Sequence, residues 1–247
     1  MTGPVLLLDV GNSRVKWALV QAEEWLAEGT STHNEADRLL GEWDRFPRPA
    51  KVIASNVAGE AHGRAFSAFW QSRNVPLHWI TASRECAGVR NLYDRPEQLG
   101  SDRWAALVGA WNRIRGACLV VSAGTAITID ALNEHGEFMG GLILPGKRLM
   151  SQSLASGTHS LEEAEGQAVS FPHNTADGMS SGIATALACS VQAAYQRLAA
   201  HAAKSPPCLL TGGDAEWLSR QLQFGAIIAP RLVLDGLLIM GRRDALK

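Results

Sequence analysis

Three short stretches hold residue types suited to handling a phosphate and an acceptor hydroxyl. In the first, Asp9-Val10-Gly11-Asn12-Ser13, an acidic residue ends an apolar run, a Gly-Asn turn follows, and Lys16 stands just beyond it. Gly11 lets backbone amides approach an anion, Asn12 and Lys16 offer donors to phosphate oxygens, and Asp9 is a candidate Mg²⁺ ligand. The competing reading is turn chemistry alone, in which Gly11 and Asn12 supply positive φ and Asp9 accepts local backbone bonds. The second stretch, Gly124-Thr125-Ala126-Ile127-Thr128-Ile129-Asp130, repeats the arrangement with hydroxyls. Taken singly, a Gly-Thr turn between strands reads as structure more readily than as function. The third, Gly100-Ser101-Asp102-Arg103, places a carboxylate beside a guanidinium at a helix start. Asp102 is there either an acidic residue favoured by the helix dipole or a general base for a substrate hydroxyl, with Arg103 gripping a carboxylate or phosphate. The dipole and Arg103 together are expected to keep the Asp102 carboxyl ionised near neutral pH. None of the three is a Walker or Rossmann fingerprint.

The elements that must position these residues form an internal echo. Val5 to Val10 is an apolar run entering the first turn, and Arg14 to Val20 leaves it alternating polar with apolar, which predicts a β-hairpin. Cys118 to Ala123 and Ala126 to Leu132 repeat that shape, with the turn glycines Gly11 and Gly124 standing 113 positions apart. A repeat this long implies a duplicated domain rather than a solenoid. Paired turns from two such halves would hold the β- and γ-phosphates of a nucleotide across an interdomain cleft. Between the hairpins the pattern predicts a strand at 51–56, a helix at 59–73 and a short strand at 77–81, an alternating α/β order. Ser101 is the expected N-cap of a helix burying Trp104, Leu107, Val108 and Trp111, and Thr175 that of a long helix running to Leu198. A strand at 140–146, a helix after it, and a strand at 209–211 entering Gly212-Gly213 follow, the last turn open to a base or ribose. Residues 232–240 close the chain as helix or buried strand. The expected division is 1–116 and 117–247.

Composition narrows the partners. The 23 Lys plus Arg against 24 Asp plus Glu give a formal charge of −1 over 247 residues, which leaves no global footprint for nucleic acid or an anionic membrane. With 46% hydrophobic and 19% charged residues the chain has material for a packed interior. The first apolar run stops at Asp9, too short for a signal peptide or a span, and 226–240 is interrupted by Pro230, Arg231 and Asp235. Cys86, Cys118, Cys189 and Cys208 show no CxxC spacing, which argues against zinc and for a reducing, cytoplasmic setting.

In order and spacing, Asp9-Val10-Gly11-Asn12-Ser13 with Lys16, Tyr93 to Pro96, Gly100-Ser101-Asp102-Arg103, Gly124 to Asp130, and Gly140-Gly141 to Pro145-Gly146 resemble the type III pantothenate kinase family. That resemblance covers about residues 5–241. It implies a duplicated ribonuclease H-like, actin-like α/β fold of the actin and sugar-kinase superfamily. It also implies a homodimer, ATP with Mg²⁺, an activating K⁺ or NH₄⁺ ion, and phosphorylation of pantothenate as the first step of coenzyme A synthesis. Position by position, Asp9, Gly11, Asn12 and Lys16 match the first phosphate motif, with Mg²⁺ near Asp9, and Thr125 and Thr128 match the second. Asp102 matches the catalytic base, Tyr93, Gly100, Ser101 and Arg103 fall with it in the pantothenate contacts, and Asp130 matches the residue near the monovalent cation. Thr175 resembles the threonine offered to the neighbouring subunit's substrate, and Ser13 stands where many relatives carry threonine. The alternatives are a kinase or phosphohydrolase of the same superfamily acting on another small hydroxy acid, and a regulatory accessory factor without turnover.

Overall fold

The computed structural model describes residues 3–33, 41, 43–158 and 166–242. The chain divides into two compact units, Met1–Arg113 with Arg231–Lys247, and Ile114–Pro230.

In the first unit, β1 (Val5–Val10), β2 (Arg14–Gln21), β3 (Glu24–Thr32), β4 (Lys51–Asn56) and β5 (Leu77–Trp79) form a sheet in the order β3-β2-β1-β4-β5. The β1–β2 and β2–β3 pairs are antiparallel, while β1–β4 and β4–β5 are parallel. The side-chain period of two separates the faces. Leu6, Leu8 and Val10 of β1, with Val15, Trp17, Val52 and Ala54, join one core with Phe66 and Trp70 of α1 (Glu60–Ser72). The other face takes the backbone of α6 (Leu232–Arg242), whose Gly241 leaves no room for a Cβ beside Ile53. Gly236 of the same helix lies directly on the Ala105 carbonyl of α2 (Ser101–Ile114), a close approach that only glycine permits. A small antiparallel pair, β6 (Glu85–Cys86) and β7 (Val89–Asn91), precedes α2.

The second unit repeats the plan. Its strands β8 (Cys118–Ala123), β9 (Ala126–Leu132), β10 (Glu137–Pro145), β11 (Cys208–Thr211) and β12 (Ile227–Ile228) run in the order β12-β11-β8-β9-β10. The β8–β9 and β9–β10 pairs are antiparallel, and β8–β11 and β11–β12 are parallel. Strand for strand, β8 to β12 reproduce β1 to β5 in order and direction, which is the duplicated actin-like α/β fold. Leu119, Val121, Ile127 and Ile129 pack against Ile183, Leu187 and Val191 of α4 (Thr175–Ala199). Two further helices complete the unit, α3 (Lys147–Gly157) and α5 (Ala215–Ser219).

Two expectations need correction. The chain crosses between units near residues 113–114 and again at 230–231, so a single cut at 116–117 assigns the final helix to the wrong half. An apolar helix face records that it is buried, not against which sheet. The capping residues also shift by one: Gly100 accepts the first helical bond of α2, from the Trp104 amide, and Asn174 caps α4 through its Oδ1 bond to the Asp177 amide at 2.9 Å. Ser101 and Thr175 are instead the first helical residues.

Candidate active site

Register places the first group of side chains. Asp9 pairs with Lys16 across β1–β2 and with Ser55 across β1–β4, so Lys16, Asp9 and Ser55 form one row over three strands, on the face opposite the α1 core. A slip of one residue in any of the three strands would turn its member of the row into that core. Ser55, fully buried, donates from Oγ to Asp9 Oδ1 at 2.8 Å. Burial, and next the nearby Asp102 charge, push the Asp9 carboxyl up to about 6, against the Ser55 hydrogen bond and the Lys16 charge. Neither Gly11 nor Asn12 has positive φ, which removes the turn-chemistry explanation for that dipeptide. A Cβ on Gly11 would meet only the Arg14 carbonyl oxygen, at 3.3 Å.

Asp102 approaches the same face from the start of α2. Ser101 Oγ accepts from the Asn56 amide at 3.2 Å and donates to the Asn56 carbonyl at 3.4 Å, tying the helix to the end of β4. The Asp102 carboxylate accepts from the Arg103 amide at 2.7 Å, and a Cβ on Gly100 would come within 2.8 Å of that same oxygen. Glycine at 100 is therefore what leaves the carboxylate its place. Burial raises the Asp102 pKa, outweighing the Arg103 amide and guanidinium, so the expected dominance of dipole and Arg103 is reversed. A raised carboxylate is a stronger base once ionised. Arg103, itself buried, reaches the Tyr93 hydroxyl at 3.5 Å. Two residues outside the sequence reading hold the Tyr93 loop: Asn91 accepts the Tyr93 amide at 3.0 Å and donates to the Pro96 carbonyl, while Arg84 donates to the carbonyls of Asn91, Tyr93 and Asp94.

The second unit carries a neutral counterpart. Thr128 pairs with Ser122 across β8–β9, and Ser122 with Thr211 across β8–β11, so three hydroxyl residues occupy the row that Lys16, Asp9 and Ser55 fill in the first unit. Thr128 is buried and its Oγ1 has no hydrogen-bond partner among the described residues. An orphaned buried hydroxyl is costly unless something else completes it, and a phosphate oxygen is a suitable acceptor. Around the Gly124-Thr125 turn the backbone is crowded: Gly146 donates to the Thr125 carbonyl at 2.9 Å, and Gly212, at φ +99°, lies against the Ala123 carbonyl. Asp130 is buried on β9, on the same face as Thr128 and opposite the α4 core. Thr175 is exposed at the start of α4, and with Asn174 as the cap it has no capping task.

The residues present suit a divalent cation held in the manner of Mg²⁺. The Asp9 and Asp102 charges oppose each other, which a cation would relieve, and no group of three or more metal-binding side chains stands together among the described residues. Such an ion would take most of its oxygens from phosphates and water. The sequence signature described as type III pantothenate kinase matches residues 5–197, more than half of the chain. The chain belongs to the type III pantothenate kinase family. A type III pantothenate kinase from Azoarcus sp. strain BH72 is 45% identical over 98% of this chain and 92% of its own length. Among solved structures, a Baf family transcriptional activator from Campylobacter jejuni superposes with TM-score 0.64 at 23% identity, covering 96% of this chain and 98% of its own. The activator of 2-hydroxyisocaproyl-CoA dehydratase from Clostridium difficile, with bound ADPNP, gives 0.58 at 13% identity, covering 97% and 95%. At those identities the two structures establish the fold alone. No helix among the described residues is long and apolar enough to cross a membrane.

Proposed function

We infer that Asp102 is the base in the ATP-dependent phosphorylation of pantothenate, the entry to coenzyme A synthesis, that family membership assigns to this chain. The observation that carries this is the Asp102 carboxylate itself, tethered at the start of α2, raised in pKa by burial and close enough to Asp9 for their charges to interact. Its carboxylate accepts the proton of the primary hydroxyl as that oxygen bonds to the γ-phosphorus. The bond from the γ-phosphorus to the β–γ bridging oxygen breaks, ADP leaves, and the proton passes from Asp102 to solvent. Phosphoryl transfer asks mainly for position and charge neutralisation. Lys16 and Asn12 supply donors to phosphate oxygens, and Thr125 and Thr128 offer hydroxyls for the same task. Asp9 would hold Mg²⁺, which when bound would supply neutralising charge to the phosphates. Arg103 and Tyr93 grip pantothenate, with the guanidinium on its carboxylate, while Gly100 and Ser101 set the helix start that carries Asp102.

Three finer parts belong to the same proposal. Asp130 marks the site of a K⁺ or NH₄⁺ ion beside the second hairpin. The chain acts as a homodimer in which Thr175 approaches pantothenate in the partner subunit, a reading supported by exposed Phe171 and Val169 just ahead of α4. Four cysteines, none in a disulfide among the described residues, suit a cytoplasmic enzyme. The test is direct: purified protein with ATP, Mg²⁺, K⁺ and pantothenate yields 4′-phosphopantothenate by mass, with one ADP per product. Product with another hydroxy acid in place of pantothenate would move the chain to a sister activity, and ATP binding without any product would leave a regulatory factor.

A further inference from the structure

A histidine lies against the β1–β2 turn. His33, directly after β3, bonds through Nε2 to the Gly11 carbonyl oxygen at 2.7 Å. A carbonyl oxygen only accepts, so Nε2 carries the proton and His33 donates. The other ring nitrogen, Nδ1, is buried with no hydrogen-bond partner among the described residues. The ring packs on His62 of α1, with centroids 4.1 Å apart and planes at 49°. His62 is itself fixed by donation from Nδ1 to the Ala58 carbonyl at 3.2 Å. Helix α1 thus backs a side chain that reaches across to the turn.

The Gly11 carbonyl and the Asn12 amide N–H belong to one planar peptide unit, and the described chain holds no cis bonds. In a trans peptide the two groups point in opposite directions. Whatever fixes the Gly11 oxygen therefore fixes the direction of the Asn12 N–H. The Gly11 amide is already spent on the Arg14 carbonyl at 3.0 Å, whereas the Asn12 amide has no partner among the described residues. We propose that His33 is a positioning residue that orients the Asn12 peptide, with His62 as its support, so that the Asn12 N–H is presented as a donor to a phosphate oxygen of the nucleotide. This rests on the reading of that turn as a phosphate turn. Backbone donors fixed before the anion arrives need no reorganisation when it binds, which is why a side chain spent on the rear of the turn affects affinity at its front.

The test compares His33→Gln, whose amide nitrogen can donate at a reach similar to Nε2, with His33→Leu, which cannot donate. In the intact protein, His33→Leu is expected to raise KM for ATP roughly tenfold, the worth of one hydrogen bond to a charged partner. KM for pantothenate should stay unchanged, and His33→Gln should recover most of the loss. Deuterium uptake by the peptide spanning residues 9–15, followed without nucleotide, should rise in His33→Leu and return toward wild type in His33→Gln. A folded His33→Leu protein with wild-type uptake in that peptide and wild-type KM for ATP would overturn the proposal. If the wild type makes no phosphopantothenate yet uptake follows the donor as stated, the kinase reading fails and the positioning of the turn stands.

Discussion

The two hairpins share one backbone plan and are held by different physics. In the first unit the row Lys16, Asp9 and Ser55 carries charge, and side chains brace it: Ser55 on Asp9, Ser101 on the end of β4, His33 on the turn. In the second unit the equivalent row is Thr128, Ser122 and Thr211, all neutral, and the turn is braced by backbone, with Gly146 and Gly212 pressed on the carbonyls of residues 123–125. Buried charge needs side-chain partners because desolvation is expensive. Hydroxyls cost less to bury, so the second hairpin can be closed by tight main-chain contact and still leave one of them, Thr128, without a partner. Duplication supplied the frame, and divergence put the charged row in the first half, while the second keeps a buried carboxylate, Asp130, two positions beyond its neutral row.

That contrast is open to attack by substitution. The largest effect is expected at Gly212→Ala, where a positive φ and contact with the Ala123 carbonyl combine to cost roughly 2–6 kcal/mol. Gly11→Ala, with its Cβ 3.3 Å from the Arg14 carbonyl oxygen and no positive φ, asks only a slight shift of that oxygen and should cost about 1 kcal/mol. Urea melts of the two variants measure the difference, and equal losses would erase the distinction between backbone and side-chain bracing. Next comes Lys16→Met, which keeps much of the apolar stem and removes the charge. Turnover at saturating ATP should fall about 10²- to 10³-fold, as on deletion of one preorganised donor, with the melt unchanged. A fall under threefold would take Lys16 out of the phosphate contacts.

Asp9 offers a pH-dependent version of the same contrast. Its folded pKa, about 6, exceeds the 3.8 of an ordinary aspartate, so the native state holds the proton more tightly than the unfolded chain. The group's contribution is therefore fully present below about pH 4, declines as pH rises toward 6, and is level above that, for a total loss of roughly 1–3 kcal/mol. Asp9→Asn lacks this titration. Without Mg²⁺ it should melt above wild type at pH 8 and match it near pH 4, while losing turnover. A constant gap across that range would show that Asp9 is not the strained carboxylate. The smallest effect is expected from Thr128→Val, which replaces an unpartnered buried hydroxyl with a methyl group. Stability should hold or rise slightly, because no hydrogen bond is lost, while turnover falls about tenfold for the missing donor to phosphate. A clear loss of stability would mean that the hydroxyl is satisfied within the protein.

Much of the frame was legible because alternation is a local signal. Val5 to Val10, Arg14 to Val20 and their repeats announced two hairpins, and the face of α2 was visible in Trp104, Leu107 and Val108. Edge strand β3 was not, since Glu24 to Thr32 mixes charged and small residues that only half bury. The charged members of the site stood out as types, whereas Ser55 and Ser122 did not, because a single serine acquires meaning only when register sets it beside an aspartate or a threonine. Likewise Asn91 and Arg84 act through loop carbonyls that no spacing rule reveals. The cap at Asn174 was missed for a narrower reason: Asn and Thr are both good caps, and they are adjacent.

Asp102→Asn separates a catalytic base from a carboxylate that only shapes the helix start. Asn preserves the shape of the side chain and its ability to accept the Arg103 amide, but not the ability to take a proton. The variant should fold, still bind pantothenate, and show a kcat for 4′-phosphopantothenate lower by about 10²- to 10⁴-fold, the usual worth of general-base catalysis. A folded, pantothenate-binding Asp102→Asn protein that turns over within about threefold of wild type would contradict Asp102 as the base, since that lies far outside the same range.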